Sequence, residues 1–311
     1  MGGAMISEDN RALARLQRKQ LEILRELDRV CRLCNIRYYL SSGTCLGAVR
    51  HGGFIPWDDD VDVYMYWKDA QRLAEHQNLF KPQFFVQSKT TDPNVRTSHY
   101  RLRDSSTSMF LKEDCGDDIN HGIFIDIYIL YPYPDNRLLA AKLRFDSFIY
   151  RILMAGRGPQ NHGRAAKAAG ELICWLYRGE KAKRKVKAIE REYRKNGGKH
   201  YLATYFGRDI TLFHCVIYPR TWFSKPVKLP FEDMEVCCPG DPDAYCRLQY
   251  GDTYMELPPK EKRIPHHEFM YCSVSEPYTN YTGKYNGRMG RVTRSSGTAA
   301  VKRRQKGGRK R

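Results

Sequence analysis

Four carboxylates lie within five positions of this 311-residue chain: Asp58, Asp59, Asp60 and Asp62. Like charges this crowded repel one another unless a cation or a basic ligand neutralises them. On an extended strand Asp60 and Asp62 point to the same side, because side chains alternate every two residues. Such a pair suits a hard divalent cation such as Mg²⁺, which takes oxygen ligands. The alternative interpretation is a solvated acidic loop that precedes a strand.

A further acid, Asp126, interrupts the apolar run of residues 123–130. A lone carboxylate in a buried strand is costly unless it is paired or binds a metal. Alternation along the strand would also allow it to lie on a solvated face. Beside a carboxylate pair that needs a third ligand, Asp126 is the natural partner.

Gly43-Thr44 follows a short apolar segment and precedes a predicted helix that ends near His51. Thr44 could cap that helix. Small residues at a helix N-terminus let backbone N–H groups and a hydroxyl approach phosphate oxygens. A tight turn alone would explain the dipeptide equally well. The order strand, Gly-Thr, helix, Asp-Val-Asp strand and later Asp strand is more specific than any of its parts.

Hydrophobic periodicity predicts the elements that must position these residues. The mixture indicates an α+β fold, with a mixed sheet flanked by helices and a helical insertion over residues 137–199. The region 226–259 is rich in turn residues. Helices are predicted at 7–34, 44–51, 68–79, 138–154, 165–177, along the basic segment 178–199, and at 243–250; strands are predicted at 37–40, 61–65, 84–87, 99–104 and 123–130.

The net charge of +18 is concentrated in two segments. Residues 277–311 contain eleven basic residues and no acid, and residues 178–199 contain ten basic residues and three acids. We call the first the basic tail, and we predict that it is disordered because it is rich in Gly, Arg and Ser. We call the second the basic arm. The remainder, residues 1–276, is predicted to form one catalytic domain that includes the arm.

Basic segments are attracted to phosphate-rich surfaces, whether nucleic acid, anionic lipid or a polyanionic glycan. No nucleic-acid-binding motif is present, so we expect the basic tail to hold the protein near an anionic membrane. No apolar run approaches the ~20 residues that span a bilayer, and no signal pattern opens the sequence. These features predict a cytoplasmic protein with peripheral contact at the inner face of the membrane.

The ten cysteines are scattered, and without a secretion signal they should be reduced thiols. Cys31 and Cys34 lie at i, i+3 on a helical face, as small core residues do. A zinc site is an open alternative, although its candidate ligands lack a paired CxxC spacing. Those candidates are Cys237, Cys238, Cys246 and Cys272.

Three blocks of the sequence resemble the LicD family of phosphotransferases, which has a nucleotidyltransferase-like fold and is related to the fukutin group. The first and most specific block is GTCLGAVRHGGFIPWDDDVDVYM, the second is GIFIDIYIL, and the third is FEDMEVCCPGDPDAYCRLQYGDTYMELPP. Together the resemblance covers roughly residues 21–267. One departure is Cys45, where an aliphatic residue is more usual, and the arm and tail match no family pattern.

The resemblance implies transfer of a phospho-substituent, typically phosphocholine from CDP-choline, to a sugar hydroxyl of a cell-surface glycan such as lipopolysaccharide, teichoic acid or capsule. The fukutin group implies a phospho-polyol instead. Metal ions, Mg²⁺ or Mn²⁺, must neutralise the donor pyrophosphate, and no organic cofactor is expected. By analogy Asp60, Asp62 and Asp126 would be catalytic and hold the metal, and Asp126 could also take the proton of the attacking hydroxyl.

Substrate contacts are predicted for residues around this centre. Arg50 and His51 could stabilise the leaving cytidine monophosphate, although a surface basic pair is the simpler explanation. Trp57, Tyr250 and Tyr254 could stack on a base or sugar or hold a quaternary ammonium group, although core packing explains each. The full predicted substrate-binding set is Gly43, Thr44, Arg50, His51, Trp57, Asp59, Tyr250, Gly251 and Tyr254.

Two rival functions are left open by the residues. A nucleotidyltransferase on the same fold would move the nucleotide itself, and its metal site would look the same. A non-catalytic protein that binds nucleic acid or another anionic surface would depend on the basic tail and arm. Product analysis separates the phosphotransferase from the nucleotidyltransferase, since the phosphotransferase releases cytidine monophosphate and the nucleotidyltransferase releases pyrophosphate.

Overall fold

The computed structural model describes residues 3–156, 163–195, 198–204, 215–281 and 283. Within these residues the helices are α1 (Gly3–Leu33), α2 (Ser42–His51), α3 (Trp67–Glu75), α4 (Arg137–Ala155), α5 (Gly163–Leu176), α6 (Glu180–Lys195), α7 (Thr221–Ser224) and α8 (Pro242–Tyr250). The strands are β1 (Tyr39–Leu40), β2 (Asp62–Tyr66), β3 (Phe84–Gln87), β4 (Tyr100–Asp104), β5 (Ser108–Leu111), β6 (Ile123–Tyr133), β7 (Tyr201–Ala203), β8 (Tyr218–Pro219), β9 (Val227–Phe231), β10 (Met234–Cys238) and β11 (Phe269–Ser273). Short 3₁₀ turns span Gln77–Leu79, Lys260–Lys262 and Tyr278–Tyr281.

A mixed sheet positions the acidic residues. Its strand order is β1-β2-β6-β4-β3, and β7 continues it from the far end of β6 and pairs in turn with β8. β2 and β6 run parallel, whereas the other pairs in this sheet are antiparallel. The register of the parallel pair sets Asp62 opposite Asp126. The two acidic segments that are 64 positions apart in the sequence therefore meet on neighbouring strands.

The two faces of this sheet differ in chemistry. On one face the alternate residues Val63, Ile125 and Leu102 are fully buried, and α1 and α3 contact these strands. α1 supplies an apolar stripe to this core that includes Leu16, Ile23, Leu24, Leu27 and Val30. The other face carries the charged residues Asp62, Asp126 and Arg101, because side chains alternate across a strand.

The α+β fold with a mixed sheet and flanking helices is confirmed. Six strands were not predicted: β5 and β11 pair with each other, β9 and β10 form a hairpin within the turn-rich region, and β7 and β8 extend the sheet from β6. Each is short and pairs with a partner that no local pattern identifies. The prediction that Thr44 caps α2 is wrong, because the helix begins at Ser42 and Ser41 occupies the N-cap position.

The segment predicted as an insertion contains α4, α5 and α6. α6 packs on α4 and β6 through Ile189 and Tyr193, and the Tyr193 hydroxyl donates to the Leu143 carbonyl. At the other end of the chain, residues up to Tyr281 pack on the body: Tyr278 N–H donates to the Thr107 carbonyl. The rest of the predicted disordered tail, apart from Gly283, lies outside the described residues.

Candidate active site

The acidic loop is held in place by the first helix. The Gln17 amide donates to the Asp58 carbonyl at 2.8 Å, and the Gln20 amide donates to the Asp59 carbonyl at 2.8 Å. These bonds satisfy the loop backbone from the side of α1. The backbone carbonyls of the loop are therefore bonded by α1, not by the carboxylate side chains.

Three carboxyl groups of this loop destabilise one another. Burial together with the neighbouring charge of Asp60 raises the pKa of Asp58 to about 8. The pKa values of Asp60 and Asp62 are also raised, chiefly by burial and then by the surrounding carboxylates. Asp62 Oδ1 is buried and has no hydrogen-bond partner among the described residues. A bound cation would relieve the repulsion among these buried carboxylates.

Asp126 has a different environment. Its Oδ1 accepts from Arg101 Nε at 2.8 Å and contacts His99 Nε2 at 2.9 Å. Although burial opposes ionisation, the charges of Arg101 and His99 hold the pKa of Asp126 well below its usual range. A carboxylate with such a pKa is a weak base. The prediction that Asp126 accepts the proton of the attacking hydroxyl stays a prediction.

Asp59 contacts a distant segment of the chain, and its contact with substrate stays a prediction. Its side chain is fully buried and accepts from the backbone N–H groups of His266 at 3.1 Å and His267 at 2.9 Å. His267 Nδ1 lies 3.2 Å from Asp59 Oδ1 and 3.8 Å from Asp60 Oδ2. These carboxylates raise the pKa of His267. Asp59 thus fixes a distant chain segment against the acidic loop.

Asp59, Asp60 and His267 also form a candidate metal-binding group, in which one ligand atom from each lies within 4.8 Å of the others. This set shares only Asp60 with the predicted ligands Asp60, Asp62 and Asp126. Asp62 and Asp126 nevertheless lie close to Asp60, since all three contribute to one another's electrostatics. The donor set and the unpartnered Asp62 oxygen fit a divalent cation.

The N-terminus of α2 adjoins this cluster. A Cβ atom on Gly43 would lie 2.7 Å from Asp58 Oδ2, so the glycine lets the carboxylate approach the helix. Thr44 is buried, and its Oγ1 accepts from the Asp62 N–H at 2.8 Å. Ser42 adopts a left-handed φ of 46°, an uncommon conformation for a residue other than glycine. Thr44 therefore positions Asp62, whichever role it has toward phosphate.

Arg50 and His51 lie at the opposite end of α2, about 10 Å along the axis from Gly43 at 1.5 Å per residue. Arg50 Nη1 donates to the carbonyls of Tyr254 at 2.8 Å and Glu256 at 3.1 Å. This bonding ties the helix to the segment after α8. The structure thus gives Arg50 a structural function and does not bring it to the carboxylates.

Trp57 is half-buried beside this end of the helix. Its ring packs edge-to-face with His51 at 6.4 Å, and the Arg263 guanidinium lies 5.4 Å from its centroid. Asp58 follows directly in the chain, so the backbone of Trp57 leads into the acidic loop. Of the aromatic residues predicted to stack on substrate, Trp57 retains that role as a prediction.

The Tyr250-Gly251 pair ends α8, where Gly251 has a φ of 85° that favours glycine. Tyr250 lies near enough to Asp58 and Asp62 that their charges add to burial in raising its pKa. Tyr254 is buried, and its hydroxyl donates to Asp243 at 2.6 Å. Tyr254 therefore cannot present a free ring to substrate, whereas Tyr250 borders the site.

The four predicted zinc ligands are dispersed. Cys238 and Cys246 are buried beside Cys45, Cys237 lies near Asp28, and Cys272 lies near Asp59. All the cysteines are free thiols. Within the described residues they form no metal-binding group, so the zinc alternative is not supported.

The sequence analysis gives no role to Arg101 and His99, although both shape the site. His99, Arg101 and Arg103 are spaced two positions apart, and such a row of basic residues on one face of an extended segment could have indicated a paired carboxylate. His267 also contacts the site, although its partner Asp59 is 208 positions away in the sequence.

The fold and the site together define a mixed α/β protein with a carboxylate cluster beside a helix N-terminus. Residues 35–139 match the family model described as LicD/FKTN/FKRP, nucleotidyltransferase domain. The resemblance found from the sequence is thereby confirmed, and residues 35–139 are similar to the nucleotidyltransferase domain of this family.

Individual relatives agree with this assignment. The chain is 28% identical over 273 residues to the lipopolysaccharide cholinephosphotransferase LicD of Haemophilus influenzae, covering 81% of this chain and 96% of that protein. It is 47% identical over 121 residues to the human ribitol 5-phosphate transferase FKRP, covering 36% of this chain and 21% of that protein. The mouse FKRP matches at 31% identity over 121 residues.

Proposed function

We propose that this protein is a metal-dependent transferase that moves a phospho-substituent from a CDP-linked donor to a hydroxyl group of a glycan. The main observation in support is the cluster of Asp58, Asp60 and Asp62, which repel one another beside the N-terminus of α2. The relatives transfer cholinephosphate to lipopolysaccharide and ribitol 5-phosphate, and both groups carry phosphate. Phosphocholine is the favoured group because the match to the cholinephosphotransferase spans most of both chains.

Asp60 and Asp62 would hold the metal ion, with Asp126 and the Asp59–His267 pair around them. Mg²⁺ or Mn²⁺ supplies charge neutralisation of the donor pyrophosphate. The chain itself orients the reactants. The positive end of the α2 dipole at its N-terminus favours an anionic oxygen, and Thr44 fixes the Asp62 backbone.

In the proposed reaction the acceptor hydroxyl oxygen attacks the β-phosphorus of the donor. The bond from that phosphorus to the bridging oxygen breaks, and cytidine monophosphate leaves with the bonding electron pair. The hydroxyl proton passes to a carboxylate of the cluster. Tyr250 and Trp57 border the space in which donor and acceptor would meet.

The test is incubation of the purified protein with Mg²⁺ and a panel of CDP-linked donors, with and without glycan acceptors. We expect cytidine monophosphate release with CDP-choline, and loss of release in the Asp60→Asn/Asp62→Asn variant. Asp118→Asn, an exposed acid outside the cluster, is the matched control. Pyrophosphate release from CTP would instead support nucleotidyl transfer, and full activity of the double variant would refute the proposal.

None of the helices in the described ranges combines the length and apolarity needed to cross a membrane. The cytoplasmic location, and the membrane contact of the basic tail, stay predictions. Fractionation of cells that express the full chain would test both.

A further inference from the structure

Two outward-facing stripes distinguish α5 and α6 from the rest of the insertion. On α5 the exposed residues Ala168, Leu172, Trp175 and Leu176 recur at helical spacing. The three large side chains are 55%, 58% and 51% exposed. On the opposite side of the helix, Cys174 Sγ donates to the Ile152 carbonyl of α4. The apolar stripe therefore faces away from the helix against which α5 packs.

α4 also has an exposed apolar stripe. Leu138, Ala141 and Phe145 recur three and four positions apart and are all exposed. Leu138 is 82% exposed and Phe145 is 53% exposed. Exposed apolar side chains that occur singly need no explanation, but helical stripes on two packed helices indicate an interaction surface.

The stripe on α6 is basic. Arg184, Lys187, Arg191 and Lys195 recur at spacings of three and four, and all are exposed. Among the described residues none of them forms a salt bridge, and only Lys187 lies near enough to an acid, Glu180, to affect its pKa. The acids of α6 are already neutralised by other lysines: Glu180 by Lys183, Glu190 by Lys89 and Glu192 by Lys142. The positive charge of the outer face is therefore uncompensated.

We propose that the α4–α6 insertion docks on an anionic phospholipid bilayer. The apolar stripe, which includes an exposed tryptophan, suits the boundary between headgroups and acyl chains. The basic stripe suits the negative potential of the lipid headgroups. Both stripes belong to helices that pack on α4, and a three-residue connection joins α5 to α6. An acidic protein partner would satisfy the charges but would not account for the apolar stripe on α5.

This inference does not rest on the proposed transferase activity, because it concerns a surface that contains none of the candidate site residues. It also differs from the expectation that the basic tail alone provides membrane contact. The insertion would fix one face of the body against the bilayer, whereas contact through the tail alone would only tether it.

The experiment is flotation of the full chain with vesicles of phosphatidylcholine alone or with 30% phosphatidylglycerol. We expect binding to the anionic vesicles, with about tenfold less bound protein for Arg184→Gln/Lys187→Gln/Arg191→Gln. Leu172→Ser/Trp175→Ser should lose binding to a similar extent. Two controls should bind as the wild type does: Met255→Ser/Leu257→Ser, an exposed apolar pair elsewhere, and Lys302→Gln/Arg303→Gln/Arg304→Gln in the tail.

A second readout tests insertion into the bilayer directly and does not require a large change in the amount of bound protein. Brominated lipids should quench tryptophan fluorescence of the wild type, and Trp175→Phe should remove most of that quenching while retaining flotation. Loss of binding only in the tail variant would overturn the proposal in favour of the tail. A lipid-independent dimer that Trp175→Ser dissociates would overturn it in favour of self-association.

Discussion

Asp62 and Asp126 face each other on parallel strands, yet their environments are opposite. Asp126 is held by Arg101 and His99, which keep it ionised. Asp62 has a buried oxygen without a partner among the described residues, and burial with nearby carboxylates raises its pKa. The first acid is compensated by basic side chains of the protein, whereas the second lies among other carboxylates, an environment that suits a bound cation. One site therefore contains both a built-in ion pair and a place for a ligand.

The largest effect on transfer activity is expected from substitution of Asp62, the acid that basic side chains do not compensate. Asp62→Asn should lower transfer activity about 10⁴-fold, roughly 5–6 kcal/mol of transition-state stabilisation, because the metal would lose a ligand. The same change should raise the stability of the metal-free protein, since it removes a repelling charge. Steady-state kinetics and urea unfolding in EDTA would measure both. A variant that was less stable than the wild type and fully active would contradict the proposed difference between Asp62 and Asp126.

The next largest effect, on the free energy of unfolding, is expected from removal of the Arg101 partner of Asp126. Arg101→Met should destabilise the protein by about 3–5 kcal/mol, because it leaves Asp126 as a buried charge with a weakened partner set. Denaturant unfolding measures this. Arg96→Met is the matched control: Arg96 pairs with Asp117 at the surface, and its loss should cost about 0–1 kcal/mol. Equal costs for the two variants would show that Asp126 does not depend on Arg101.

The stability contributions of Asp58 and Asp126 should change with pH in opposite directions. Asp58 has its folded pKa raised to about 8, so its contribution is complete below the unfolded pKa of about 4 and is lost as the pH rises toward 8. Asp126 has a lowered pKa, so its contribution is present above about pH 4 and lost in acid. Melting temperatures across this range in EDTA would reveal both slopes.

Two further measurements assign these slopes. Asp58→Asn should flatten the fall in melting temperature between about pH 4 and 8 without changing the acid limb. Addition of Mg²⁺ to the wild type should raise the melting temperature most at the alkaline end, where the carboxylates are ionised. A magnesium effect that was independent of pH would argue against binding at the cluster.

The smallest expected effect concerns the link between α2 and β2. Thr44→Val removes the acceptor for the Asp62 N–H and should cost about 1 kcal/mol of stability. Thr44→Ser keeps the hydroxyl and should retain most of that stability. Thermal unfolding of the two variants measures the difference. If valine and serine behaved alike, the hydroxyl would have no part in positioning Asp62.

The elements that bring the acids together could be predicted from the sequence. Alternation around Asp62 and the apolar run around Asp126 indicated two strands, and the structure pairs them in register. Gly43-Thr44 was correctly associated with the start of a helix, although the helix begins at Ser42. These are local patterns, and local patterns are what a single sequence records.

The state of each acid could not be predicted in the same way. Compensation of Asp126 depends on Arg101 across a strand pair, and burial of Asp59 depends on a segment 208 positions later. Arg50 and Tyr254 were given roles near substrate because they flank recognisable motifs. Their side chains instead bond to backbone and to Asp243, which only the packed structure reveals.

The bonds from Asp59 to His266 and His267 have a consequence for folding. They connect a loop in the first fifth of the chain to a segment near its end, so they form only after most of the polypeptide has been synthesised. Contacts of such long range are slow to close because the loop entropy must be overcome first. Until then the acidic loop lacks the donors that stabilise Asp59. Chains released before about residue 267 should therefore have an unfinished centre even when the sheet has formed.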